Sequence, residues 1–159
     1  MSNFRNIILI LSFATLLWGC KDNYVSSVPA MMVSLKIDFS GEYNTFKNSS
    51  NEFKIFEVPV YDADRLGFAG ILVYSSPLPD ESGNTIYYAF DMACTHEISR
   101  TAKVYPVKGS LGKVKCNKCG SIFDVSFGVG HPDNTSGPAK EVLRRYKVNV
   151  TENFLYVYR

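Results

Sequence analysis

Two short segments set the terms for this chain: Cys94-Thr95-His96 and Cys116-Asn117-Lys118-Cys119. Each holds a pair of soft donors, and thiolate with imidazole is the donor chemistry of iron–sulfur clusters and zinc sites. The four donors serve one centre only if the two segments lie side by side. The sequence between them supplies the means. Ala102 to Val107 and Leu111 to Lys115 read as the arms of a hairpin about Lys108-Gly109-Ser110, which would bring its two ends together.

The remaining segments also read as strands. Met32 to Phe39 alternates apolar and polar residues with period two, the pattern of a half-buried strand. Tyr43 to Glu52 is polar and rich in Asn and Ser, a surface loop. Phe53 to Tyr61 is a second strand, and Pro59 places it on an edge or near a bulge. Gly67 to Tyr74 and Thr85 to Phe90 follow, parted by the turn-like Pro77 to Asn84. Ser121 to Phe127 is a strand, Gly128 to Gly137 a loop, and Val142 to Val150 and Phe154 to Tyr158 close the chain. No helical stripe stands out, a turn or two near Ala139 to Arg145 excepted. Short strands at regular spacing with many aromatics predict an all-β antiparallel sandwich with a small subdomain carrying the donor loops. The Tyr and Phe residues are expected in cross-strand packing, and Arg144 to Lys147 on a solvated strand face.

The chain has 159 residues, enough for one domain. Residues 1–19 are set apart: Arg5 is followed by the apolar run Ile7 to Trp18 and then Gly19-Cys20, too short for a spanning helix and shaped like a secretory signal. Cysteine directly after Gly19 resembles a bacterial lipoprotein signal, in which Cys20 would be lipidated; an uncleaved N-terminal anchor is the alternative. Either places the domain in the cell envelope, next to a membrane. Residues 20–30 then read as a polar tether and 31–159 as the domain. The formal net charge of +2 gives no reason to expect nucleic acid as a partner. With Cys20 set aside, Cys94, Cys116 and Cys119 remain, an odd number that cannot all pair within one chain. A metal holding all three with His96 uses every one.

The pattern C-x-H, spacer, C-x-x-C, then Gly120-Ser121-Ile122-Phe123-Asp124 resembles the cluster-binding loops of Rieske-type [2Fe–2S] proteins, whose second loop normally reads C-x-x-H-G-S-x-[YF]-D. The resemblance is specific from Asp91 to Ala139, including Gly137-Pro138-Ala139, which matches a proline-bearing turn that covers one side of the cluster in that family. It implies that Cys94 and Cys116 bind one iron and His96 and Cys119 the other. Cys119 stands where the family has histidine, so the set is three Cys and one His, as in the CDGSH family on an unrelated scaffold. Ser121 matches a serine that donates to a bridging sulfide. Phe123 replaces a tyrosine that donates to a cysteine sulfur in high-potential members, and an added thiolate also lowers the potential. The loop-linking disulfide of those members is absent on both sides, at Ser99 and Lys118. Ile98 stands two residues after His96, where the family often has Gly, and a β-branched residue disfavours positive φ. No twin arginine precedes the apolar run.

The function expected from the resemblance is one-electron transfer through a [2Fe–2S] cluster, with an unidentified redox partner protein and no catalytic residues. A second class stays open: a non-redox structural or binding module with a Cys3His zinc site, or with no metal. A redox dithiol at Cys116 and Cys119 fits poorly, because such pairs usually open a helix, whereas Ser121 onward reads as strand. His131, in a Gly/Pro/Asn loop, is expected at the surface and outside the ligand set.

Overall fold

The structure, a computed structural model, describes residues 26–159. The apolar run and Cys20 lie outside the described residues. The fold is all-β. A seven-stranded antiparallel sheet, nearly closed on itself, has the order β2-β4-β5-β10-β11-β1-β3, and a four-stranded antiparallel sheet has the order β6-β7-β8-β9. In chain order the strands are β1 (Val33–Asp38), β2 (Phe53–Phe56), β3 (Arg65–Leu66), β4 (Ile71–Pro79), β5 (Thr85–Asp91), β6 (Val104–Pro106), β7 (Lys113–Cys116), β8 (Ile122–Asp124), β9 (His131–Pro132), β10 (Arg145–Val150) and β11 (Phe154–Tyr158). Among the described residues the helical content is one 3-10 turn, Thr45–Asn48.

The alternation seen in the sequence becomes the inside and outside of the large sheet. Val33, Leu35 and Ile37 of β1 point inward and meet Leu155 and Val157 of β11 and Tyr87 and Ala89 of β5 in one core. The intervening Ser34 is exposed, and Lys36 and Asp38 are half-buried. β4 departs from alternation for a physical reason: both of its faces are covered. Ile71 and Val73 enter the first core, while Leu72 and Tyr74 enter a second, shared with Val104, Val114 and Phe123 of the small sheet and with Val125 just after it. An unbroken apolar run is the signature of such a strand. Aromatic pairs sit across strands as expected. Phe53 and Tyr74 are register partners on β2 and β4, with ring centroids 4.7 Å apart.

Several segments differ from the sequence reading. The supposed surface loop Tyr43 to Glu52 contains the 3-10 turn and drives Phe46 into the first core with no exposure. β2 stops at Phe56, so Pro59 lies beyond the edge strand it was expected to sit in. β4 runs on through Pro79, with a register shift after Ser75, and the turn to β5 is tied by the Asp80 carboxylate, which accepts from the backbone N–H of Ser82 and Asn84. The loop after Gly128 holds the short strand β9, paired to β8. Residues 139–144 are irregular, not helical.

The stretch read as a tether is docked from Ser26 onward. Val28 is fully buried against Ala69 and Ala93. The Arg144 guanidinium donates to the carbonyls of Val28 (2.6 Å) and Ser26 (2.8 Å), and Glu141 accepts from the Ser27 N–H and hydroxyl at 2.8 Å each. Arg144 is therefore a clasp on the incoming chain, unlike its exposed neighbours Arg145 and Lys147.

Candidate metal centre

Two turns deliver the sulfurs. After β5 the chain forms a bridge between Ala93 and Lys103, and the Cys94 N–H donates to the Ala102 carbonyl at 2.9 Å. These bonds pin the neck of the first loop. β7 ends at Cys116, and a tight turn returns the chain to β8, closed by Gly120 N–H to the Cys116 carbonyl (3.2 Å) and Cys116 N–H to the Ser121 carbonyl (2.9 Å). Gly120 has φ +75°, a conformation that costs glycine little.

Asn117 joins the loops. Its N–H donates to the Lys103 carbonyl (2.9 Å), its side-chain oxygen accepts from the Lys103 N–H (3.0 Å), and its amide nitrogen donates to the Thr101 carbonyl (3.2 Å). Three hydrogen bonds thus hold the two loops together.

The ligand atoms of Cys94, Cys116 and Cys119 all lie within 4.8 Å of one another. Cys94 and Cys116 are buried, Cys119 is half-buried, and none is disulfide-bonded. The Cys94 and Cys119 sulfurs are 3.6 Å apart. His96, two residues beyond Cys94 in the same loop, is exposed and is not part of this sulfur group. Of the four expected donors, the structure brings three together. His131 is exposed, as expected, on β9.

The surroundings act on the sulfurs in opposite directions. Burial pushes the Cys94 thiol up to about 12, against the lowering influence of the backbone N–H groups of Glu97 and His96. For Cys119 burial also acts upward, but hydrogen bonds from Ser121 and the neighbouring thiols outweigh it, and the thiol sits below its ordinary value. The Lys118 N–H points at the Cys116 sulfur at 3.4 Å. The Ser121 oxygen accepts from the Ala139 N–H (3.0 Å) and is 3.2 Å from the Cys119 sulfur. With its oxygen so engaged, the hydroxyl proton is available to a Cys119 thiolate. The residues fit a thiolate-bound metal, which needs charge-stabilising donors around sulfurs taken out of water.

Gly137-Pro138-Ala139 packs on Ser121, but Pro138 itself is exposed. Contact comes from Gly137, where an added Cβ would lie 2.5 Å from the Ser121 Oγ and 2.7 Å from its Cα. Phe123 is fully buried in the second core, a packing residue beneath the site.

Asp91, fully buried at the end of β5, is a support that sequence reading missed. Its carboxylate accepts from the N–H groups of Phe68 (2.7 Å), Ala69 (3.2 Å) and Ala93 (2.8 Å) and from the Tyr146 hydroxyl (2.6 Å). It fixes the chain three residues before Cys94. Burial, then the Asp91 charge, pushes the Tyr146 hydroxyl far above its ordinary value, so it stays a donor. The available signal was a lone carboxylate in the apolar run Ala89 to Ala93.

Ile98 adopts φ +45° in the first loop, the strain anticipated for a β-branched residue at that position. Its N–H donates to the Cys94 carbonyl at 2.9 Å, closing the turn at whose end the positive φ redirects the chain. Ile98→Gly is expected to raise stability by about 1 kcal/mol through relief of this strain. A urea titration in which the midpoint falls would contradict the account.

No family model, curated protein or solved structure matches this chain. The residues and their geometry carry the functional reading.

Proposed function

We propose that the chain is an atypical Rieske-type [2Fe–2S] protein acting as a one-electron carrier, with Cys94, His96, Cys116 and Cys119 as the ligand set. The observation that supports it most is the convergence of three sulfurs at the tips of two adjoining loops, beside Ser121 and under the Gly137–Ala139 turn. That assembly is what the resemblance led one to expect of the loops, and His96, exposed two residues beyond Cys94 in the same loop, is the donor the resemblance offers for the fourth position. A bound cluster would supply a site that takes up and returns a single electron. The chain's own residues hold the sulfurs, donate hydrogen bonds to them, and keep water from Cys94 and Cys116. Lipid on Cys20 would keep the domain at an envelope membrane, and the donor and acceptor would be other redox proteins.

One observation favours a second reading, a structural zinc site. Sulfurs on a single tetrahedral ion at a bond length of about 2.3 Å lie about 3.8 Å apart. Cys94 and Cys119, which the cluster reading assigns to different irons, are 3.6 Å apart. Metal and acid-labile sulfide content, with a visible spectrum, on protein purified without oxygen separates the two. Two irons and two sulfides per chain support the carrier; one zinc and no sulfide makes the chain a structural module. Neither, after reconstitution, sinks both.

Either metal must displace the Cys94 proton, since burial holds that thiol neutral near pH 7. Apparent zinc affinity is therefore expected to rise at least about tenfold per pH unit, one decade per proton displaced. Chelator competition at three pH values between 6.5 and 8.5 checks this; a flat profile would exclude Cys94 as a ligand.

A further inference from the structure

We propose that in the metal-free chain Cys94 and Cys119 form a disulfide by exchange with a low-molecular-weight disulfide, leaving Cys116 reduced. The C-x-x-C spacing alone would favour Cys116 with Cys119, since closing the shorter loop costs less chain entropy. The fold points to the other pair. The Cys94 and Cys119 sulfurs already touch at 3.6 Å, against a bonded length of about 2.05 Å. The Cys116 sulfur instead receives the N–H of Lys118 from its own turn. Access fixes the order of events. Cys119 is the half-buried member, whereas Cys94 is fully buried and Cys116 is 2% exposed.

The Cys119 sulfur, having released its proton to water, attacks one sulfur of the external disulfide. That S–S bond breaks, one half leaves as a thiolate that takes up a proton, and a mixed disulfide remains on Cys119. Cys94 then gives up its proton and attacks the Cys119 sulfur, expelling the second half as a thiol. The two cysteines lose two electrons and two protons between them, and the external disulfide gains both. This assignment concerns the metal-free chain and holds whichever metal the site takes.

The test uses the full-length chain, stripped of metal by a chelator under reducing conditions and desalted. It is treated with oxidised glutathione, once in buffer and once unfolded in urea, then alkylated and mapped by peptide mass. In buffer, the Cys94–Cys119 peptide is expected to exceed the Cys116–Cys119 peptide at least tenfold; in urea the preference should reverse. Predominant Cys116–Cys119 linkage in buffer, pairing with Cys20, or a lasting glutathione adduct on Cys119 without a cross-link would each overturn the assignment.

Discussion

With serine in place of Cys119, the full-length chain is expected to hold less than about a tenth of the metal held by the unchanged protein. A serine hydroxyl keeps its proton near neutral pH and is a poor ligand for zinc or iron, so the group of three sulfurs is cut to two. Cys119 is the informative choice because it is half-buried, while Cys94 and Cys116 belong to the second core. Cys119 only packs against the edge of that core, so a near-isosteric serine disturbs it least and best separates loss of metal from loss of fold. Metal analysis and thermal melting with and without chelator are the measurements. The unchanged protein should lose melting temperature on chelation, and Cys119→Ser should start from the lower value and stay there. Full metal occupancy in the variant would mean that the sulfurs converge for another reason. Ser99→Ala, in the first loop, removes only exposed hydrogen bonds to Thr101 and is expected to leave metal content unchanged.

Asp91→Asn is expected to destabilise the domain by about 2–5 kcal/mol, the cost of leaving one or two buried donors without an acceptor and a large share of the stability of a chain this size. Four donors converge on the carboxylate, three of them backbone N–H groups that cannot turn away. An amide of the same shape removes the charge that strengthens those bonds and aims its own N–H at groups that also donate. Gly67 shows how tight the arrangement is, since a Cβ there would meet the Tyr146 hydroxyl and lie 2.8 Å from Asp91 Oδ2. Urea unfolding of the metal-free protein measures the loss without contribution from the site. A shift under about 1 kcal/mol would show that the carboxylate contributes no more than an ordinary neutral hydrogen bond.

Most strands were legible because one face of each meets a core and the other meets solvent. β1 and β11 show period two for that reason, and β11 matches its expected span of Phe154 to Tyr158. The three converging cysteines were legible because metal-ligand spacing is a local property of sequence, and the hairpin joining them follows from local turn chemistry. What escaped was decided by distant partners. Phe46 looked like one aromatic in a polar loop, yet Tyr87, far along the chain, donates its hydroxyl to the carbonyls of Phe46 and Lys47 and draws the turn inward. Val28 looked like part of a tether because nothing nearby in sequence announces the Arg144 clasp. β9 is two residues long, and its pairing with β8 is set by where β8 lies, not by its own Gly/Pro/Asn composition.

Because β4 is packed on both faces, it acts as a party wall between the barrel core and the core beneath the sulfurs. Neither side can come apart without stripping cover from the other, so the two should lose structure in one step. Amide protons of Leu72 and Val73 should then exchange with solvent only through opening of the whole domain. Metal gripped at one end would slow that exchange at the far side of the barrel, although no contact runs directly between them.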